Sequence, residues 1–320
     1  MPATTATAPG KIILFGEHAV VYNRPAIAAP VTQVHARAVV MPGPHLPPGD
    51  VLLDAPTIGI HGSYRHLPDD HPLRLLVETI QQRLGGVRAP AMQVRITSTI
   101  PMAAGLGSGA AVSTAVVRAI ADFVGRALSP EEVSQIAFTI EKVHHGTPSG
   151  IDNTVIAYAK PVYFQPNQPV AFLRPAAPLH LVIADSGIPS LTAAVVGDVR
   201  QAWQKDASRY EELFDAIAAT VNAARRAIEQ DRVEEIGALM TTNHHQLQTM
   251  DVSCAQLDHL VDAAMQAGAM GAKLSGAGRG GNMIALVAGE TAQQVAAALQ
   301  SAGAQRTITT VIQPPAGEER

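Results

Sequence analysis

Residues 101–123 read PMAAGLGSGAAVSTAVVRAIADF, and this stretch decides the fold. A proline closes one segment, Gly105, Gly107 and Gly109 follow at alternate positions around Ser108, and an unbroken apolar helical pattern begins. Glycine loses more conformational freedom than any other residue, so three in five positions ask for positive φ or for close approach by a partner. A phosphate is the candidate partner, because the free amides and dipole of a helix N-terminus attract anions. Two familiar loops do not fit. No Gly-Lys-Ser/Thr closes the stretch, as a Walker A loop requires, and the acidic residue of a dinucleotide fingerprint is missing about twenty positions on. A structural turn packed on a helix remains the alternative.

Outward from this loop the chain reads as mixed strand and helix. Lys11–Phe15 is a short apolar run ending at Gly16, and Thr32–Met41 is β-branched and partly alternating, so both predict strands. A proline-rich loop spans 42–50. Leu73, Leu76, Val77, Ile80 and Leu84 give a core-facing helix, with Asp70 as N-cap, Pro72 in the first turn and Gly85 past the end. Met92, Val94 and Ile96 alternate with polar residues as a strand with one wet face. The helix after the glycine loop is expected to run to about Leu128. Ser129-Pro130-Glu131-Glu132 opens another, with Val133, Ile136, Ala137 and Ile140 on its apolar face. A β-like stretch covers 154–164, and PNQP at 166–169 places a domain boundary, giving domains 1–168 and 169–320.

The second half opens with a strand (LHLVIADSGI) and continues as alanine-rich helices from about Leu191 to Gly268. KLSGAGRGGNMIALVA then reads as turn, glycine loop and strand, followed by a helix near 292–302 and a strand at 306–312. Helices and strands in two halves, without a repeat, argue an α+β fold.

Composition narrows the function. The chain has 320 residues, 47% hydrophobic and 16% charged, so it folds around a core. A net charge of −4 and the absence of a Lys/Arg run argue against nucleic acid. One cysteine, Cys254, leaves no internal disulfide and fits a reducing compartment. With no stretch long enough to span a bilayer and no basic-then-apolar leader, the expectation is a soluble cytoplasmic protein. Cys254 itself reads as a buried small hydrophobe.

Two further stretches carry polar chemistry. Lys11 begins the strand that leads to an abrupt Gly16-Glu17-His18 turn, and residues 275–281 (SGAGRGG) hold four glycines in six positions, enough for a backbone wrapped around a ligand. Between them lies EKVHHGTPSGIDN, residues 141–153. Glu141 is expected at the edge of a helix end, and Asp152 in a loop fixed by the preceding Pro-Ser-Gly turn. One such carboxylate suits a metal and the other a substrate hydroxyl. Neither His144-His145 nor His244-His245 converges on one ion, since helical neighbours point about 100° apart.

Together these pieces resemble the GHMP kinases, small-molecule phosphotransferases, over nearly the whole chain and in all three family motifs. APGKIILFGEHAVVYNRPAIAAPV (8–31), HHGTPSGIDN, ADSGIPS (184–190) and NHHQL (243–247) are similar to the mevalonate kinase branch. The resemblance implies a two-domain GHMP kinase fold, a ribosomal-S5-like N-terminal domain and a ferredoxin-like C-terminal domain. It implies ATP-dependent phosphorylation of the 5-hydroxyl of mevalonate, with Mg²⁺. Asp152 would accept the hydroxyl proton and Lys11 would steady it and the transferring phosphoryl group. Glu141 and Ser108 would hold Mg²⁺. Glu17, His18, Ser149, Gly150 and Asp152 would line the mevalonate site. Pro101, Ala104, Gly105, Leu106, Gly107, Ser108, Gly109, Ala110 and Ala111 would bind ATP, and Ser275, Gly276, Ala277 and Gly278 would support the phosphates.

Two departures stand out. The family serine that ligates magnesium is Gly109 here, and Arg279 replaces a common loop glycine, either as a cation near phosphate or as a solvated residue. Tyr22 either borders substrate or packs on the first strand. A phosphomevalonate kinase, a mevalonate 3-kinase, a sugar or homoserine kinase, and a non-catalytic sensor stay open as alternatives. So does a homodimer. A phosphorylated substrate would call for extra cations, for which Arg24, Lys142, Lys273 and Arg279 are the motif candidates.

Overall fold

Burial that alternates at first and becomes continuous over residues 10–15 marks β1 (Thr4–Phe15), which pairs with a second long strand, β2 (Ala26–Pro42). The computed structural model describes residues 2–83, 90–101, 104–145 and 148–315, with the side chains of residues 144 and 145 outside that description. By contacts the chain divides into two units that interleave in sequence. The first comprises the described residues up to Gly10, Val34–Pro101 and Gly107–Ala159; the second comprises Lys11–Gln33, the stretch ending at Leu106, and residues from Lys160 onward.

In the first unit β3 (Val51–Ala55), β4 (Ile60–Ser63) and β5 (Met92–Ser98) join the later half of β2 in the order β4-β3-β5-β2. β3 and β5 run parallel and the other pairs antiparallel. Four helices belong to this unit, α1 (Pro72–Arg83), α2 (Ser108–Phe123), α3 (Pro130–His145) and α4 (Ile151–Tyr158), and α2 packs on β5. Leu73, Leu76, Val77 and Ile80 of α1 are buried, as are Val133, Ile136, Ala137 and Ile140 of α3.

Helix ends follow local chemistry. His71, not Asp70, caps α1, its Nδ1 accepting from the Leu73 N–H at 3.2 Å. The expected Leu84 and Gly85 lie outside the described residues. α2 stops at Phe123, short of Leu128, because Gly125 turns to φ 75°. Arg126 N–H then bonds Ala121 O at 2.9 Å and Gly125 N–H bonds Asp122 O at 3.1 Å, the paired bonds of a Schellman end. At α3 the capping box forms as expected: Ser129 N–H donates to Glu132 Oε2 at 2.8 Å and Glu132 N–H to Ser129 Oγ at 3.2 Å.

The 154–164 stretch corrects the strand expectation. Residues 151–158 are helical and only Val162–Phe164 is a strand. The β-branched run suggested a strand, but every residue of 153–157 is buried, and α4 packs against α2 and α3. Packing outweighs a propensity scale that spans only ~1 kcal/mol. Gly150 at φ 89° starts the helix, and Thr154 Oγ1 donates back to Gly150 O at 2.7 Å.

In the second unit β6 (Val162–Phe164) pairs with the start of β2 and with β7 (Ala171–Phe172). A separate antiparallel sheet follows the order β11-β8-β10-β9, from β8 (Leu179–Asp185), β9 (Gly271–Ser275), β10 (Asn282–Val287) and β11 (Arg306–Ile312). Thus Lys273-Leu274-Ser275, expected in a turn, ends a strand. The helices are α5 (Thr192–Lys205), α6 (Ala207–Glu229), α7 (Val233–Thr249), α8 (Ala255–Gln266) and α9 (Ala292–Ser301). α7 and β9 meet at Gly237 and Gly271, where a Cβ on either would collide with the other segment's backbone. Cys254 is half-buried at the N-cap of α8, outside the core to which the sequence assigned it.

Candidate active site

The glycine loop begins in the second unit and ends in the first, crossing after Leu106. Gly105 (φ 79°) and Gly107 (φ 73°) occupy backbone that disfavours a side chain. Gly109 does not: it is exposed in the first turn of α2, and a Cβ there would meet nothing within 4 Å. Gly107 caps α2 without a side-chain hydrogen bond, so the amides of its first turn are left for an anion. Ala110 and Ala111 are buried behind them, and Ser108 is half-buried.

The first unit also carries Glu141, Ser149, Gly150 and Asp152. Glu141 is half-buried on α3, one turn before its end at His145 rather than at it. Asp152 is half-buried in the first turn of α4, not in a loop; the neighbouring Asn153 ties that turn to α3 through Ser134 Oγ at 2.8 Å. Ser149 Oγ accepts from the Ile151 N–H at 3.4 Å.

In the second unit the structure brings together Lys11, the Glu17-His18 turn, residues 104–106 and the 275–281 loop. Lys11 is buried on β1, and its N–H bonds Leu106 O at 3.0 Å. Ser275 Oγ accepts from the Ile13 N–H at 3.1 Å and donates to Ile13 O at 2.9 Å. Asn282 on β10 donates its side-chain amide to Ala104 O, and Gly276 lies beside Gly105. Asn282 carried no sequence signal, because a polar residue opening an apolar strand looks like a solvated end.

Glu17 and His18 are both buried. The Lys273 ammonium, fully buried on β9, donates to Glu17 Oε1 and, at 2.6 Å, to Leu274 O. Burial pushes Glu17 up and Lys273 down, while their mutual attraction works against both shifts. His18 has φ 60°, and its Nε2 lies 2.8 Å from Ala277 O. A carbonyl only accepts, so Nε2 carries the proton and Nδ1 presents a lone pair. Burial lowers this imidazole to about 4, with the Ala277 bond opposing.

The remaining motif cations are committed elsewhere. Arg24 pairs with Glu211 and Asp215 at 2.6 and 2.8 Å. Arg279, at φ 52°, reaches Asp198 at 2.5 Å and Asp251 at 3.3 Å, so it is an anchored loop residue rather than a free cation. Lys142 is exposed, over the Phe138 ring. Tyr22 stacks on Phe214 of α6, with centroids 4.1 Å apart, and lies 5.4 Å from Trp203 of α5. His244 and His245 have ring centroids 6.5 Å apart, and the side chains of His144 and His145 lie outside the described residues.

Known proteins match this arrangement along its length. The model for the GHMP kinases N terminal domain matches residues 72–160, and that for the GHMP kinases C terminal domain residues 224–305. Mevalonate kinase of Pyrococcus horikoshii is 33% identical, with 96% of this chain and 95% of the relative aligned. The chain belongs to the GHMP kinases. Mevalonate kinase of Methanothermobacter thermautotrophicus is 32% identical to this GHMP kinase over 88% of the chain and 89% of the relative. The crystal structure of L. major mevalonate kinase in complex with R-mevalonate superposes with a TM-score of 0.81 at 29% identity, over 98% of this chain and 97% of that one. The fold and the enzyme class expected from the motifs both hold.

Proposed function

We propose that this GHMP kinase transfers the γ-phosphoryl group of ATP to the 5-hydroxyl of mevalonate, giving 5-phosphomevalonate and ADP for isoprenoid precursor synthesis. The observation that carries the reading is the full-length likeness to mevalonate kinases at about one third identity. The cations add to it. Arg24, Lys273 and Arg279 are each paired with carboxylates, which disfavours a substrate that already bears a phosphate.

The residues divide the work. Phosphoryl transfer depends on positioning and charge neutralisation more than on covalent help. The uncapped first turn of α2, with Pro101, Ala104 and the 105–111 loop, would hold the ATP phosphates, supported by Ser275–Gly278. Lys11 would stabilise charge on the moving phosphoryl group, and Asp152 would receive the hydroxyl proton. Glu17, His18, Ser149 and Gly150 would orient the acceptor; His18, neutral, offers Nδ1 to a hydroxyl donor. Glu141 and Ser108 supply hard oxygen donors, which fit Mg²⁺, a cation that keeps several waters and takes few protein ligands. Bound there, Mg²⁺ would neutralise phosphate charge. Among the described residues no group of three or more His, Cys, Asp or Glu suited to a metal occurs.

The domain division at 168/169, a cytoplasmic location and a homodimer belong to the same proposal; the two matched models fall on either side of that boundary. Among the described residues no helix is long and apolar enough to cross a membrane.

Gly109 favours one second reading, a non-catalytic GHMP sensor. The deciding experiment mixes the protein with Mg-ATP and mevalonate, follows ADP, and locates the phosphate by ³¹P NMR. Formation of 5-phosphomevalonate is expected. Phosphate on another hydroxyl, or turnover only with phosphomevalonate, galactose or homoserine, overturns the substrate; ATP binding without turnover of any of them favours the sensor.

A further inference from the structure

Lys273 has no part in the transfer described above, yet its side chain is fully buried. An ammonium taken out of water has to be compensated. Its partner Glu17 is the middle residue of the Gly16-Glu17-His18 turn, and Glu17 Oε2 finds no hydrogen-bond partner among the described residues. Lys273 is therefore the principal compensation of that carboxylate, with a smaller attraction from Lys11.

The same two segments are stitched at other points, by Ser275 to Ile13 and by His18 to Ala277, and of these three contacts the Lys273–Glu17 one joins two ionisable side chains of opposite sign. The turn needs holding. His18 lies at φ 60°, ψ −50°, where a residue with a β-carbon is strained. Gly16, at φ 98°, is hemmed in by Pro25 and Ala26. A relaxed turn would rotate the imidazole and carry its Nδ1 lone pair away from whatever it meets.

We propose that Lys273 is a positioning residue for the acceptor substrate: pinned to Glu17, it fixes the Gly16–His18 turn and thereby the direction in which His18 presents its unprotonated nitrogen. Only the identity of that substrate rests on the mevalonate reading. The pair acts through His18, while the phosphate-supporting loop keeps its own tie to β1 through Ser275 and Ile13, so its loss weighs chiefly on the acceptor substrate.

The test compares full-length Lys273→Met, Glu17→Gln and the double variant with the wild type, varying mevalonate and ATP separately. Lys273→Met is expected to raise KM for mevalonate about tenfold and to leave KM for ATP within about twofold. The double variant is expected to be no worse than the worse single one, because partners in one pair do not add. Equal losses for both substrates, or additive effects, overturn the proposal. A second readout needs no substrate. Long-range ¹H–¹⁵N spectra, with His18 assigned through His18→Gln, should show one Nε2-protonated tautomer in the wild type and a tautomer mixture in Lys273→Met. An unchanged His18 signal overturns the positioning role. If Lys273→Met does not fold, the double variant, which leaves no unpaired charge, takes its place in the same spectra: a tautomer mixture supports the proposal and an unchanged signal overturns it. A wild type with the expected tautomer that leaves mevalonate unphosphorylated overturns the substrate reading instead.

Discussion

Gly109 shows how much one side chain can be asked to do. Its backbone is helical, it is exposed, and a Cβ there meets nothing within 4 Å, so neither strain nor crowding demands glycine. Gly109→Ser should fold normally and gain up to about 0.5 kcal/mol from helix propensity. If Glu141 and Ser108 hold the metal, an added hydroxyl beside them should lower the Mg²⁺ concentration for half-maximal turnover severalfold. A magnesium titration of wild type and variant checks this, and an unchanged midpoint removes position 109 from the metal site. Asp152 bears the heavier consequence. Asp152→Asn keeps the shape of the α4 first turn but cannot take a proton, so kcat should fall at least ~10²-fold, the lower end for general-base removal. ATP affinity, read by equilibrium titration, should stay within a factor of two. Retained turnover would show that the proton leaves by another route.

At the scale of elements, the α3 capping box was the most legible part of the sequence, whereas the cap of α1 and the end of α2 fell elsewhere than expected. Ser129-Pro130-Glu131-Glu132 names its own hydrogen bonds, and both form. Ser129→Ala should therefore cost about 1 kcal/mol, measured by denaturant unfolding, and Glu132→Ala in the same background should add little, because the box is one unit. The apolar faces of α1 and α3 were equally readable, since a fixed period maps directly onto burial. The failures share a cause. The 151–158 helix was hidden because burial on several sides erases periodicity, leaving only β-branched residues to mislead. The motif residues of the candidate site were legible by type, but their partners were not. Nothing local says that Lys273 meets Glu17 256 positions away, or that Arg279 is held by Asp198 and Asp251. Pairing of this kind is a property of the fold.

For the whole molecule, the two interleaved units offer a test through acid. His18 and His244 both belong to the second unit, and burial lowers both to about 4. His244 accepts from the Leu274 N–H through Nδ1 at 3.3 Å, and its Nε2 lies 3.1 Å from Asp258 Oδ1 without hydrogen-bond alignment. In the unfolded chain a histidine takes up a proton near pH 6.5, whereas these two in the folded state do so only near 4. Between those values the unfolded state binds more protons, so stability is full above about pH 6.5 and drains as pH falls towards 4. The loss should approach ~3 kcal/mol per histidine, an upper figure that Glu17, raised by burial, partly offsets because its protonation favours the folded state at low pH. Two units need not unfold together, so the signal should sit in one transition. Guanidinium unfolding at pH 7.5, 6.5, 5.5 and 4.5 should move the second unit's midpoint down, and His244→Asn, which keeps an acceptor but cannot titrate, should remove close to half of that slope. Ser129→Ala lies in the first unit and should move the other transition at every pH. A midpoint independent of pH from 7.5 to 4.5 would mean that neither imidazole is held neutral by its burial. A single transition shifted by both perturbations would mean instead that the units unfold as one, and acid stability would then report on the whole chain.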